Sequence, residues 1–170
     1  MYKIISMTLL LFVGQLSVAQ KNDVSKSDEA IAEFISTDPG IKATINGAYG
    51  YAVLPSVGKG AVVVGGASGN GTLYKQGAAV ADVNMIQATV GFQFGGQVYT
   101  EMVFFEDDSA YARFVEKDFE FAAQLSAVAL KAEASLDAPY IDGVKVFTMA
   151  KGGLMYEAAV GGQRFNVELY

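Results

Sequence analysis

Residues 58–77 read GKGAVVVGGASGNGTLYKQG, and the segment YGYAVLP at 49–55 introduces them. Of the 19 glycines in the chain, 12 fall between Gly47 and Gly96, set among Val, Ile, Tyr and Phe rather than Ser and Pro. Glycine inside an apolar strand is costly, because it surrenders more backbone freedom than alanine and packs nothing. Such a block therefore calls for strands that are tightly bent, closely stacked or bulged. Within it, strands are expected at 49–54, 61–67 and 72–76, with Gly69-Asn70-Gly71 as the tight turn between the last two.

Downstream, Ile86, Ala88, Val90, Phe92 and Phe94 alternate with Gln87, Thr89, Gly91 and Gln93, the period of a half-buried strand of unusual length over 83–94. Gly95-Gly96 turns or bulges it, and 98–105 continues in strand composition. Three closing strands are expected at 144–150, 154–160 and 163–169, separated by Gly152-Gly153 and Gly161-Gly162. The stretch 119–129 also alternates and reads as a strand, followed by a loop at 137–143.

Helices are fewer. Ser25 with Asp28 three residues on makes a capping pattern, and Ile31, Phe34 and Ile35 follow at helical spacing, so a helix is expected over 26–36, ended by Asp38-Pro39-Gly40. Its exposed side, with Asp28, Glu29 and Glu33, is acidic. A second start lies at Glu106-Asp107-Asp108-Ser109, with Tyr111, Phe114 and Val115 on one face. The expected fold is α+β and mainly antiparallel: a glycine-rich curled sheet, or a barrel or sandwich, with an N-terminal helix and one further short helix.

At the N-terminus, Lys3 is the only charge in residues 1–19, Ile4 to Val13 is nearly all apolar, and Ser17-Val18-Ala19 precedes Gln20. This is the layout of a secretory signal peptide, and the apolar run is short for a bilayer span. The expected product is one domain, 20–170, in the periplasm or outside the cell, peripheral to a membrane. Its 11 basic and 18 acidic side chains leave a net charge of −7. That balance argues against a nucleic-acid partner and against purely electrostatic capture by anionic lipid. The absence of both His and Cys removes Ser-His-Asp and Cys-nucleophile catalysis, haem ligation and the usual zinc sites.

The glycine block passes none of the ligand-loop tests. Gly58-Lys59 is followed by Gly60 rather than Ser or Thr, Gly69-Asn70-Gly71 lacks a third glycine at the dinucleotide spacing, and Asn70 breaks the nucleophile-elbow pattern. Carboxylate chemistry needs no histidine, so a hydrolase built on Asp107, Asp108 and Glu116 is a further alternative, motivated only by the acid clusters. Asp118 and Glu120 read as a solvated edge. No calcium loop is present, and neither a metal nor a cofactor is expected. Most aromatic side chains fall at core positions, with Tyr49, Tyr51, Tyr74, Tyr99 and Tyr156 left as candidates for partly wet contacts.

Taken in order, several segments resemble the SYLF domain, a lipid-binding module of eukaryotic and exported bacterial proteins. They are Gly50-Tyr51-Ala52-Val53-Leu54-Pro55, then Lys59-Gly60-Ala61-Val62-Val63-Val64-Gly65-Gly66, then Gly69-Asn70-Gly71. Gly91-Phe92-Gln93-Phe94-Gly95-Gly96-Gln97 is similar to that family's central block. Val146-Phe147-Thr148-Met149, with Lys151-Gly152-Gly153-Leu154 and Gly161, is similar to its closing segment. The resemblance implies a non-enzymatic module that binds phospholipid or a membrane surface. Two features differ from the family: the N-terminal helix is acidic rather than basic, and 77–80 lacks its tryptophan. If lipid head groups are engaged, the cations nearest the glycine turns are the candidates, namely Lys59, Lys75, Lys151 and Arg164. The alternative is an envelope interaction protein, meeting a partner or itself through an exposed strand edge.

Overall fold

The computed structural model describes residues 22–61, 64–116, 120–121, 128–129 and 138–170. Two helices come first, α1 (Val24–Thr37) and α2 (Ile41–Gly47), followed by β1 (Gly50–Ala61), β2 (Val64–Lys75) and β3 (Ala78–Phe105). Helix α3 (Asp108–Val115), two short strands β4 (Glu120–Phe121) and β5 (Val128–Ala129), and β6 (Val144–Leu169) complete the order. This is the expected α+β class, with α2 as an element the sequence reading lacked. The signal-peptide assignment lies outside the described residues, as does most of the expected strand at 119–129.

The sheet curls because one strand serves two partners along the same edge. The N-terminal arm of β3 pairs with β2, from Val64↔Val90 to Lys75↔Ala78. Its C-terminal arm pairs with β1, from Gly50↔Phe105 to Ala61↔Gly95. Since β1 and β2 also pair with each other, β3 must fold around their hairpin, and Gly95 with φ +120° lies where the arms meet. Strand β6 runs antiparallel along the opposite edge of β3, from Ala81↔Leu169 to Phe105↔Val144. On its far edge β6 pairs antiparallel with β4 and parallel with β5, two residues each.

Two sequence expectations are corrected here. Asn70 is no hairpin turn; it sits within β2, opposite Ser56 and Asn84. The tight turn instead follows β2 at Gln76-Gly77, whose φ angles of +52° and +80° need the left-handed region. The close approach of neighbouring backbone explains why glycine follows Asn70: a Cβ on Gly71 would run into the carbonyl of Val53. Likewise the three closing strands are one, because Gly152-Gly153 and Gly161-Gly162 stay in register with β3 and do not turn the chain.

Each face of the sheet has its own core. The inner face gathers Leu54, Val57, Leu73, Val83, Met85, Val103, Phe105, Phe165 and Val167. Helix α3 adds Phe114, 4.5 Å from the Phe105 ring and 5.0 Å from that of Phe165. A bulge at Pro55, which has no N–H to give the ladder, lets Leu54 and Val57 both face inward. On the outer face Tyr51, Val53, Met102, Phe104 and Phe147 pack beneath Ala30, Phe34 and Ile41 of the first two helices.

Helix α1 is fastened to that face by polar contacts as well. The Ser27 hydroxyl donates to Thr72 Oγ1 at 3.0 Å, and the Tyr74 hydroxyl donates to Asp28 at 2.7 Å. Its cap is Asp23, which accepts from the Ser25 amide, so the helix starts two residues before the expected position.

Candidate functional site

The sheet is longer than the helices that cover it. Beyond the N-terminus of α1 no other described element covers the outer face, and the register arranges it in rows across the strands. One row runs Gly162, Ala88, Gly66, Gly60, Gly96. The next runs Arg164, Ile86, Ser68, Gly58, Val98, and the third Asn166, Asn84, Asn70, Ser56. Every residue of the first two rows is exposed. Ile86 is 67% exposed and Val98 40%, two of the few large apolar side chains left open among the described residues.

The fold does not require glycine at two of these places. A Cβ on Gly58 or Gly60 would meet nothing within 4 Å, and neither residue has a positive φ. Where α1 begins, Ser56 and Asn70 of the third row, and Gly58 and Ser68 of the second, floor an open groove of about 710 Å³. Ser56, Gly58, Ser68 and Asn70 form its strand side, and Lys26 and Ser27 belong to its helix side. Lys26 lies 3.9 Å from Asp23, both largely exposed, so the groove rim carries one charge of each sign.

The four candidate cations do not converge. Lys75 stands at the end of β2, its Nζ 4.8 Å above the Tyr49 ring and 5.0 Å from that of Tyr111. A hydrogen bond with Tyr49 raises its pKa. Lys59 lies opposite Ala67 in β2, eight residues and so roughly 26 Å along the strand from Lys75. It faces the inside of the curl, where its charge acts on Glu101. Lys151 pairs with Glu33 of α1 at 3.6 Å. Only Arg164 belongs to the bare face, next to Ile86 in register.

The tyrosines are mostly structural. Tyr51 and Tyr74 stack at 5.1 Å beneath α1, Tyr99 lies in the inner core, and Tyr49 meets Tyr111 edge-on at 5.5 Å. Burial and the Asp28 carboxylate raise the pKa of Tyr74 far above the usual phenol value. The side chain of Tyr156 is outside the described part of β6. Of the acids considered for catalysis, Asp107 caps α3 by accepting from the Ala110 amide at 2.8 Å, Asp108 occupies the first turn of that helix, and Glu116 follows its end.

Sequence reasoning missed the bare face because its rows draw on five strand segments whose register no local pattern reveals. It also missed Glu101, although that residue is the one charge between Asp82 and Glu106. Glu101 is completely buried on the inner face, and burial pushes its carboxyl up to about 7.

The chain is similar to the Beta cell expansion factor A of Aeromonas veronii, with 27% identity over 151 residues, covering 84% of this chain and 54% of that protein. It thus spans about half the length of this distant relative. No protein-family profile matches the chain.

Proposed function

We propose that the chain is a non-enzymatic, SYLF-type lipid-binding module of the cell envelope, which lays the bare outer face of its sheet on a phospholipid surface. The observation that carries this reading is the row of glycine and alanine flanked by exposed Ile86 and Val98. Exposed apolar side chains on a sheet face that no described element covers mark a surface suited to apolar contact. Glycines 58 and 60, free of any packing or conformational need, keep that face smooth enough for close approach.

The charge balance shapes how binding works. A net charge of −7 on the exported chain repels anionic lipid at long range, so attachment rests on apolar contact, with Arg164 beside Ile86 as a local cation. Co-sedimentation with phospholipid vesicles tests this. Binding is expected to persist as salt rises from low to physiological levels, where a purely electrostatic binder is released. Ile86→Glu is expected to weaken it about tenfold, the effect of losing one partly buried aliphatic side chain.

A second reading rests on the far edge of β6, which among the described residues is paired only at two-residue stretches. An edge of that length suits strand addition by a partner or a second copy. A strictly monomeric chain in light scattering, with no partner crosslinked in cells, counts against it.

A further inference from the structure

The second row of the outer face sets polar and apolar residues in a fixed order. Ser68 lies opposite Ile86 on one side and Gly58 on the other, and Gly58 lies opposite Val98. The groove at the start of α1 has Ser68 and Gly58 in its floor, with Ser56 and Asn70 of the next row. Its floor therefore has an exposed aliphatic side chain at each end. The volume of about 710 Å³ suits a small ligand.

Hydrogen bonds to the sheet hold the helix side of the groove in place. Asn22 donates through Nδ2 to the carbonyls of Gly71 at 2.7 Å and Val83 at 3.3 Å, and the Ser27 hydroxyl donates to Thr72. These bonds fix the first turn of α1, and with it Asp23 and Lys26, beside the strands. Asp23 Oδ1 accepts from the Ser25 amide at 3.1 Å and from its hydroxyl at 2.6 Å, while Oδ2 lies 3.9 Å from Lys26 Nζ. Hydrogen bonding from the Ser25 hydroxyl holds the Asp23 carboxyl below its ordinary value, so it is anionic at neutral pH. A loose, exposed ion pair of this kind gains little by itself, and each member can take a partner of opposite sign from outside.

The lining matches one class of head group. It carries one cation, Lys26, and one anion, Asp23, and its other polar side chains are neutral. A phosphate alone meets a carboxylate beside its cation, and the net negative charge of the chain repels anionic lipid further. A phosphate that brings its own ammonium meets both charges with the right sign. No aromatic side chain is among the described lining residues, whereas quaternary ammonium groups are recognised by aromatic cages. A primary ammonium, with N–H groups to donate to a carboxylate, fits instead.

We infer that the groove is a receptor site for a phosphoethanolamine head group, with the phosphate on Lys26 and the serine hydroxyls and the primary ammonium on Asp23. The inference rests on the membrane-surface reading above and adds a head-group preference to it. With the head group seated between them, Ile86 and Val98 contact the apolar part of the lipid on either side. Gly58 forms part of the groove floor where an added Cβ has open space, so glycine there keeps the floor clear without being required by the fold.

Co-sedimentation of the chain with vesicles of phosphatidylcholine alone, or mixed with phosphatidylethanolamine or phosphatidylglycerol, tests the site. Binding is expected to be about fivefold tighter when ethanolamine lipid is present, the effect of a pair of exposed charge contacts, and to gain nothing from phosphatidylglycerol. Asp23→Asn keeps a good helix cap but loses the anion, and Lys26→Gln loses the cation. Both are expected to abolish the preference while leaving binding to phosphatidylcholine in place. Equal wild-type binding to choline and ethanolamine vesicles overturns the inference and leaves the membrane-surface reading standing. So does a preference that survives both substitutions, as altered lipid packing would give. Glycerophosphoethanolamine, the same head group without acyl chains, separates the sources. In an NMR titration it is expected to shift the amides of Ser56, Ser68 and Asn70 in the wild type and not in Asp23→Asn. Those shifts without binding to any vesicle overturn the membrane-surface reading and support the groove as a site for the free compound. Neither shifts nor vesicle binding overturns both.

Discussion

Gly71 and Gly58 lie in the same hairpin, yet only Gly71 is held there by its neighbours. A Cβ at 71 collides with the Val53 backbone, which cannot swing aside as a side chain can. Gly71→Ala is therefore expected to cost about 1–3 kcal/mol in chemical denaturation, the range for overpacking a tight site. At 58 the space is open, so Gly58→Thr should raise stability by about 0.5–1 kcal/mol through the unfolded chain and strand propensity. If the lipid reading holds, this more stable variant binds vesicles less well. The contrast between two glycines in one motif is invisible in the sequence, because both simply read as glycine in an apolar strand. Glu101 is the opposite case: a lone acid inside 98–105 was in plain view, but only the register shows that it faces inward toward Gln163.

At the scale of elements, alternation and capping were readable and connections were not. The period of two over 86–94 announced β3, and the strand continues through Gly95-Gly96 with neither a turn nor a register shift there, the shift against β6 falling at Val98/Tyr99 instead. The closing region misled, since paired glycines usually turn a chain. Here they lie in a strand whose partner β3 is already present along its whole length, and ladder pairing outweighs local preference. Helix α3 follows its signals closely, from the Asp107 cap to the buried Tyr111 and Phe114. Asp107→Ala is expected to lower stability by about 1 kcal/mol, as loss of an N-cap does. Because α3 covers the inner core and not the bare outer face, that variant should bind vesicles as the wild type does once temperature is kept below its unfolding transition.

For the whole molecule, the decisive relation is between a sheet that curls and helices that stop short. Helices α1 and α2 shield the outer face over Tyr51, Phe104 and Phe147, and beyond the start of α1 the rows through Ile86 and Gly58 are exposed and lie under no described element. The curled, glycine-rich sheet was legible in composition. The site was not: of the four cations singled out from the sequence, three point into the fold or to its other parts, and one lies on the exposed face. The reason is physical, since a surface assembled from five strand segments exists only once the long-range pairings form.

The most direct test compares vesicle co-sedimentation of the wild type with Gly60→Glu, a change on the exposed outer face at a position where an added Cβ has open space within 4 Å. The account predicts an unaltered thermal unfolding midpoint, salt-tolerant binding by the wild type, and binding by Gly60→Glu reduced at least tenfold. Equal binding by the two proteins, or no binding by the wild type to vesicles of any phospholipid composition, contradicts it.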